Sequence, residues 1–494
     1  MSDLSATLVI DPRDDVAVAL RPVAAGERVA EGVVASRDIP AGHKVALRAI
    51  AAGEAVRKYG WPIGQATQPI AAGAHVHSHN LATALSGVET YAYEPAPAEA
   101  LPPPSPATFQ GYRRADGRVG VRNEIWVLCT VGCVARTAQK IAEAADRRFR
   151  GLVDGVHALT HPFGCSQLGG DLDATRTMIA ALASHPNAGG VLILGLGCES
   201  NQLQTLLDAA PNLDRSRLRA FTAQSAGDEI EHGLAAVAEL VAVAEHDRRE
   251  PCPVSDLVIG VKCGGSDGFS GLTANPLVGR IADKVCGSGG TTILTEIPEI
   301  FGAERLLMAR AADREVFEDV AAVVNDFKGY FLSHGEPVSE NPSPGNIEGG
   351  ITTLEEKSLG AVQKGGRGPV TEVVRYGGQA HERGVVLLEA PGNDAVSSTA
   401  LAAAGATVIL FTTGRGTPLG FPAPTLKIAT NSGLAQRKPR WIDFDAGRIV
   451  AGESVEAAAD RLMDLVLATA SGQPTRAEEN GEREIALWKR GVTL

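Results

Sequence analysis

The chain has 494 residues, a formal net charge of −12 and no Lys/Arg cluster beyond short runs, so it offers no basic face to a phosphate backbone and nucleic acid is excluded as a partner. Its apolar runs, such as residues 191–196 and 407–411, fall far short of the about 20 residues that cross a bilayer, and residues 1–10 lack a basic and apolar leader pattern. With 44% hydrophobic residues, 56 glycines, 4% aromatics and seven cysteines in no regular framework, the composition predicts a multidomain α/β enzyme in a reducing cytoplasm rather than an aromatic-lined binding module.

Residues 1–94 read as a small all-β module. Short apolar runs at 7–10, 16–20 and 39–47 are punctuated by Pro/Gly turns, and helical periodicity is poor. Within it His75, His77 and His79 alternate, and alternation along an extended chain puts side chains on one face. Imidazoles so placed suit Fe(II), Mn(II) or Zn(II). Residues 95–107 are too rich in proline for a helix or a central strand and predict a stiff extended linker.

Residues 108–250 alternate strand and helix: 125–130 then 134–149, 155–159 then 172–183, 191–196 then 202–210, and a long helix over 227–244. That order predicts a parallel, doubly wound layer. A charged segment and Pro251-Cys252-Pro253 mark a second boundary. Residues 251–494 open another α/β series, with strands at 257–261, 291–294, 384–388 and 407–411. The Pro/Gly/Asn-rich segment 335–350 is too long for an ordinary connection and predicts an active-site loop.

The stretch from Gly260 to Pro276 concentrates the chemistry. An apolar strand runs into four glycines and then into a helical pattern, and ligands of open α/β sheets bind at such turns. Lys262, Cys263, Ser266 and Asp267 converge there. Two similar strand ends carry His161, Cys165 and Gln167, and Glu199 with Asn201, all residue types that hydrogen-bond a polyhydroxy ligand. Glu296, Glu299, Lys357 and Lys364 are further candidates. Cys165, Cys198 and Cys263 each follow a strand end, but no C-x-x-C spacing supports an iron–sulfur cluster, and Cys129 and Cys133 read as structural. No P-loop, nucleophile elbow or dinucleotide fingerprint is present.

Six blocks in order carry a resemblance: Val76-His77-Ser78-His79-Asn80, Gly117-Arg118-Val119-Gly120-Val121-Arg122-Asn123, His161-Pro162-Phe163-Gly164-Cys165-Ser166-Gln167, Leu196-Gly197-Cys198-Glu199-Ser200-Asn201, the Gly260 stretch, and Asn341-Pro342-Ser343-Pro344-Gly345-Asn346. Together they span nearly the whole chain, which resembles the altronate/galactarate dehydratase family of sugar-acid hydro-lyases. The resemblance implies an N-terminal SAF-like (β-clip) domain followed by two Rossmann-like parallel α/β domains. It implies dehydration of D-altronate to 2-keto-3-deoxy-D-gluconate with Fe(II), Mn(II) being the alternative and an iron–sulfur cluster disfavoured. The rival readings are galactarate or another aldonate or aldarate as substrate, and a non-catalytic sugar-acid binding protein on the same fold.

The residues assigned on these motifs fall into three sets. His77 and His79 are the metal ligands, with His75 outside the family motif as a third. Lys262, Asp267, His161 and Glu199 are the catalytic candidates. Asn80, Arg122, Asn123, Cys165, Gln167, Cys263, Ser266, Asn346 and Lys364 are the substrate-binding candidates. The expected partner is a small sugar acid, with homo-oligomerisation left open. Because the histidines precede the proline segment and most other candidates follow it, the site should form only when the β-module docks on the α/β body.

Overall fold

A computed structural model describes residues 6–210 and 213–494. The β-module is built of short antiparallel pieces. Val16–Ala19 lies between Thr7–Leu8 and Lys44–Ala46, and Lys44–Ala46 pairs in turn with His75–Val76. A second ribbon joins Ala55–Lys58, Trp61–Ala66 and Leu81–Ala82. The run predicted as one strand over 39–47 is broken, because Gly42 takes φ 82° and turns the chain before Lys44; a left-handed residue cannot continue a strand.

The middle layer is a parallel sheet in the order Val156–Leu159, Glu124–Cys129, Ala188–Gly195, Leu218–Thr222. Helices Ala135–Arg148 and Glu229–Ala244 cover one face, closing a core around Val127, Ile141, Leu192 and Leu240. The edge strand Leu218–Thr222 was not foreseen, since its burial is interrupted by Arg219 and Ala220. The layer is entered and left through one ribbon: Thr108–Arg113 pairs antiparallel with Glu250–Pro253.

The third layer is a seven-stranded parallel sheet in the order Val370–Val374, Gly384–Leu388, Thr291–Leu294, Val258–Cys263, Val408–Thr413, Thr425–Ala429, Phe444–Asp445. It shares a core with the middle layer, in which Trp126, Leu128 and Met178 pack with Ile293, Leu401 and Phe411. Helices Gly169–Ala183 and Asp394–Ala403 meet between the two sheets. His185 and Asn187 tie the layers further, reaching the carbonyls of Ala406 and Thr407 at 3.1 Å.

The proline-rich segment has no helix or strand, as its composition requires, yet it is strapped down rather than free. Tyr91 OH donates to Glu304 at 2.7 Å, Ala96 N to Ala309 O at 2.8 Å, and Ser105 N to Ser288 Oγ at 3.0 Å.

The module docks onto the segment that leads into helix Leu354–Ala361. Lys44 and Lys58 both place Nζ 2.8 Å from the Glu356 carboxylate, and all three side chains are buried. Burial alone would raise the Glu356 carboxyl, but the two ammonium groups outweigh it and hold it well below the carboxylate range. Apolar residues of the module, among them Val56, Ile63 and Val76, join the same cluster as Phe301 and Leu354. Replacing Glu356 by Ala strands two buried cations, which costs about 3–5 kcal/mol. Urea unfolding should show that loss; an unchanged midpoint would mean that the triad does not hold the interface.

Candidate active site

The Val258–Cys263 strand sits mid-sheet. After it the chain moves to one side, to Thr291–Leu294, and only later returns to the other side, to Val408–Thr413. Where strand order reverses, the turns leaving adjacent strands diverge and open a crevice at their carboxyl ends. The glycines of the following turn are required by close approach. A Cβ on Gly268 would sit 2.0 Å from Gly42 O, and one on Gly264 would sit 2.5 Å from the Asp394 carboxylate.

The crevice is a cleft of about 430 Å³ lined by Cys263, Glu299, Asn341, Asn346, Lys357 and Asp394. Lys357 Nζ donates to Glu299 and to Asn341 Oδ1 at 2.9 Å and to Asn346 Oδ1 at 3.2 Å. Asn346 in turn donates to Ser266 O at 2.8 Å, so the 335–350 segment is pinned to the glycine turn. Behind the wall, Lys262 contacts Glu296 and lies 2.9 Å from Asp394, and Lys364 reaches Glu296 at 2.8 Å and Cys263 Sγ at 2.7 Å. Burial alone would lower both lysines, but the carboxylates and the Cys263 sulfur beside them outweigh it and keep them charged. Burial, with Glu296 adjacent, pushes the Cys263 thiol up to about 12.

Cys263, Glu296 and Glu299 bring three ligating atoms within 4.8 Å of one another, which on distance alone suggests a cation. Charge argues otherwise. Lys262, Lys357 and Lys364 already engage these carboxylates, and three ammonium groups at that range oppose a divalent ion.

The histidines form a second cluster, looser than the Cys263 set, since no three of their described ring nitrogens lie within 4.8 Å of one another. His43 Nδ1 lies 3.0 Å from His75 Nε2. The His43 and His77 ring centroids are 5.0 Å apart, His75 and His77 5.3 Å, and His75 and His79 5.6 Å. Burial and the neighbouring imidazoles push His75 down to about 3, and burial lowers His43 and His77 as well. Neutral imidazoles are the form that binds a divalent ion. The cluster touches the cleft wall, since His77 Nε2 faces Ile347 O at 3.0 Å and His43 Nε2 faces Glu348 O at 3.2 Å, next to Asn346. The same-face argument covers His75 and His77. The strand ends at Val76 and the chain turns at His77, so His79 arrives by a turn and is exposed.

Other predicted residues hold the scaffold. Asn80 clamps the histidine turn, accepting from His77 N at 2.9 Å and donating to His75 O at 3.0 Å. Asp267 organises the glycine turn, accepting from Thr430, Asn431 and Phe269 N. Arg122 and Asn123 precede the Glu124–Cys129 strand and so lie at the sheet's amino edge, opposite the cleft side. There Arg122 pairs with Glu478 at 2.8 Å and Asn123 donates to Ala244 O at 2.8 Å. His161, Cys165, Gln167 and Glu199 belong to the carboxyl edge of the middle sheet and are not brought into the cleft lining. His161 is held by Cys129 O, Gln167 accepts from Gly164 N, and Glu199 accepts from Thr130 and Gly197 N. His43, Asn341 and Asp394 were missed. Asp394 had a signal, as Pro391-Gly392-Asn393-Asp394 follows a predicted strand; His43 had none, since it enters from the neighbouring strand's turn.

Three family models match the chain in succession. A family model described as the altronate/galactarate dehydratase SAF domain matches residues 5–84. The second domain of D-galactarate dehydratase/altronate hydrolase matches 111–245, and the D-galactarate/altronate dehydratase C-terminal model matches 254–493. The altronate dehydratase of Bacillus subtilis (strain 168) is 48% identical over 491 residues, 98% of this chain and 99% of its own. The chain belongs to the altronate/galactarate dehydratase family. Within that family, the altronate dehydratase of Escherichia coli (strain K12) is 49% identical over 490 residues, 97% of this chain and 98% of its own. The L-threo-forming galactarate dehydratase of the same organism is 35% identical over 479 residues, 93% of this chain and 92% of its own. As a member of the altronate/galactarate dehydratase family the chain is a hydro-lyase. Among its described residues no helix is long and apolar enough to cross a membrane.

Proposed function

We propose that the chain dehydrates D-altronate to 2-keto-3-deoxy-D-gluconate, using a divalent ion, Fe(II) or alternatively Mn(II), held by His75, His77 and His79 together with His43. The observation that carries the substrate is the 48% and 49% identity to altronate dehydratases over nearly the full chain, against 35% to a galactarate dehydratase. The cleft supports the chemistry. Removing the C2 proton beside a carboxylate creates an ene-diolate, whose charge must be met by fixed positive groups. Lys357 supplies an ammonium at the cleft surface, and Lys262 and Lys364 add charge from behind it. Glu299 and Lys357 make the acid–base pair, the carboxylate accepting the C2 proton and the ammonium delivering one to the departing 3-hydroxyl. Asn341, Asn346 and Asp394 hold the remaining hydroxyls, since an unmatched buried hydroxyl costs about 1–3 kcal/mol. The bound ion would neutralise the substrate carboxylate and 2-hydroxyl.

A panel of aldonates and aldarates with Fe(II) or Mn(II), read as 2-keto acid formed, tests this. Altronate should give the highest kcat/KM. Faster turnover of galactarate would move the substrate to the aldarates, and no keto product from any sugar acid would overturn the reaction.

A further inference from the structure

We propose that Cys133, Cys165 and Cys198 form a three-thiolate site for an iron–sulfur cluster, whose ligands stand farther apart than those of a single ion, with one coordination position left open. The sequence pointed away from a cluster because Cys165 and Cys198 were grouped with Cys263 and the cysteines lie far apart along the chain. The fold regroups them. Cys263 is buried in the third layer's sheet, whereas Val156–Leu159, Glu124–Cys129 and Ala188–Gly195 are adjacent parallel strands of the middle sheet. The turn leaving each carries one cysteine, and Cys133, Cys165 and Cys198 are the exposed cysteines among the described residues. One thiol per strand–turn unit is how a parallel sheet, with strands about 4.8 Å apart, gathers ligands that are remote in sequence.

The three turns are locked against one another. Gly132 N donates to Phe163 O at 2.8 Å, Asn201 N to Gly164 O at 3.0 Å, and Asn201 Nδ2 to Thr130 O at 3.1 Å. A Cβ on Gly164 would lie 2.1 Å from Thr130 O, so each cysteine adjoins a point of backbone contact. Two further groups in these turns are unmatched: Gln167 Nε2 and Asn201 Oδ1 are buried without a hydrogen-bond partner among the described residues. Helices Ala135–Arg148 and Gly169–Ala183 begin just after Cys133 and Cys165, so their positive ends favour an anionic thiolate–metal unit. Soft thiolates select iron–sulfur clusters or zinc over hard cations. Three protein ligands rather than four leave a position for water or another small exogenous ligand.

The test uses the full chain purified without oxygen and incubated with iron and sulfide or with zinc. Metal and acid-labile sulfide per chain are then measured for the wild type, for C133S, C165S and C198S singly, and for C286S as a control. The wild type and C286S should hold a near-stoichiometric centre, and each of the other variants should lose most of it with an unchanged circular dichroism spectrum. Iron with sulfide and visible charge-transfer absorption identifies the cluster; iron or zinc held without sulfide would overturn it. A His75→Ala/His77→Ala variant should retain this centre, which separates it from the histidine site. Equal metal in the wild type and the three serine variants, or alkylation of all three thiols in the metal-incubated wild type, would overturn the proposal.

Discussion

With His75 and His77 both replaced by alanine, the dehydratase is expected to lose Fe(II) or Mn(II) from the β-module and to fall in kcat by a hundredfold or more, on the order of what loss of a metal ligand or its support costs. These two are chosen over His79 because they are half-buried, stack on each other and face His43, whereas His79 is exposed. The fold should survive, because neither ring belongs to the apolar cluster that docks the module. Elemental analysis and circular dichroism on one sample separate the two effects. A double variant that keeps both the histidine-bound ion and its rate would remove the histidines from the chemistry.

Lys357→Ala is expected to lower kcat/KM by roughly a hundredfold, or about 3 kcal/mol, with a smaller loss of stability than Lys262→Ala. Lys357 is the cationic residue that lines the cleft, and its ammonium holds Glu299, Asn341 and Asn346 in one arrangement. Its removal takes away both a charge for the ene-diolate and the hydrogen bonds that aim three polar side chains. Lys262 should behave differently. Buried between Glu296 and Asp394, it would cost stability first, so Lys262→Ala should lower the unfolding midpoint along with the rate. Equal, small effects on kcat/KM from both lysines would place the acid–base pair elsewhere.

The three-part layout was legible because strand–helix alternation, the proline segment and the β-module's turn spacing each leave a periodic or compositional mark. The Gly260 stretch was legible for the same reason: four glycines between a buried strand and a helix have few other uses. The edge strand Leu218–Thr222 and the inner strand Thr425–Ala429 were not, since Arg219 and Lys427 interrupt the apolar run that the eye needs, although the fold buries Lys427 by turning its ammonium onto the carbonyls of Thr417 and Leu419. Site residues were harder. An amide or guanidinium that clamps a turn is the same chemical type as one that binds a hydroxyl, so Asn80, Arg122 and Asn123 looked like sugar ligands. Only knowing which end of a strand they occupy, and which carbonyls they reach, tells the two apart. Asp394 and His43 needed the tertiary fold, because each meets its partners across a break of many residues.

The central claim is that the cleft between the glycine turn, the 335–350 segment and the docked histidine module is where the sugar acid binds. The most direct test is a crystal structure of the full chain with the 3-deoxy analogue of altronate, which lacks the leaving hydroxyl and cannot be dehydrated. The account predicts the analogue in the cleft, with Lys357, Asn341, Asn346 and Asp394 on its polar groups and its carboxylate end toward His77. The analogue at the carboxyl edge of the middle sheet, away from Lys357 and the histidines, would contradict it.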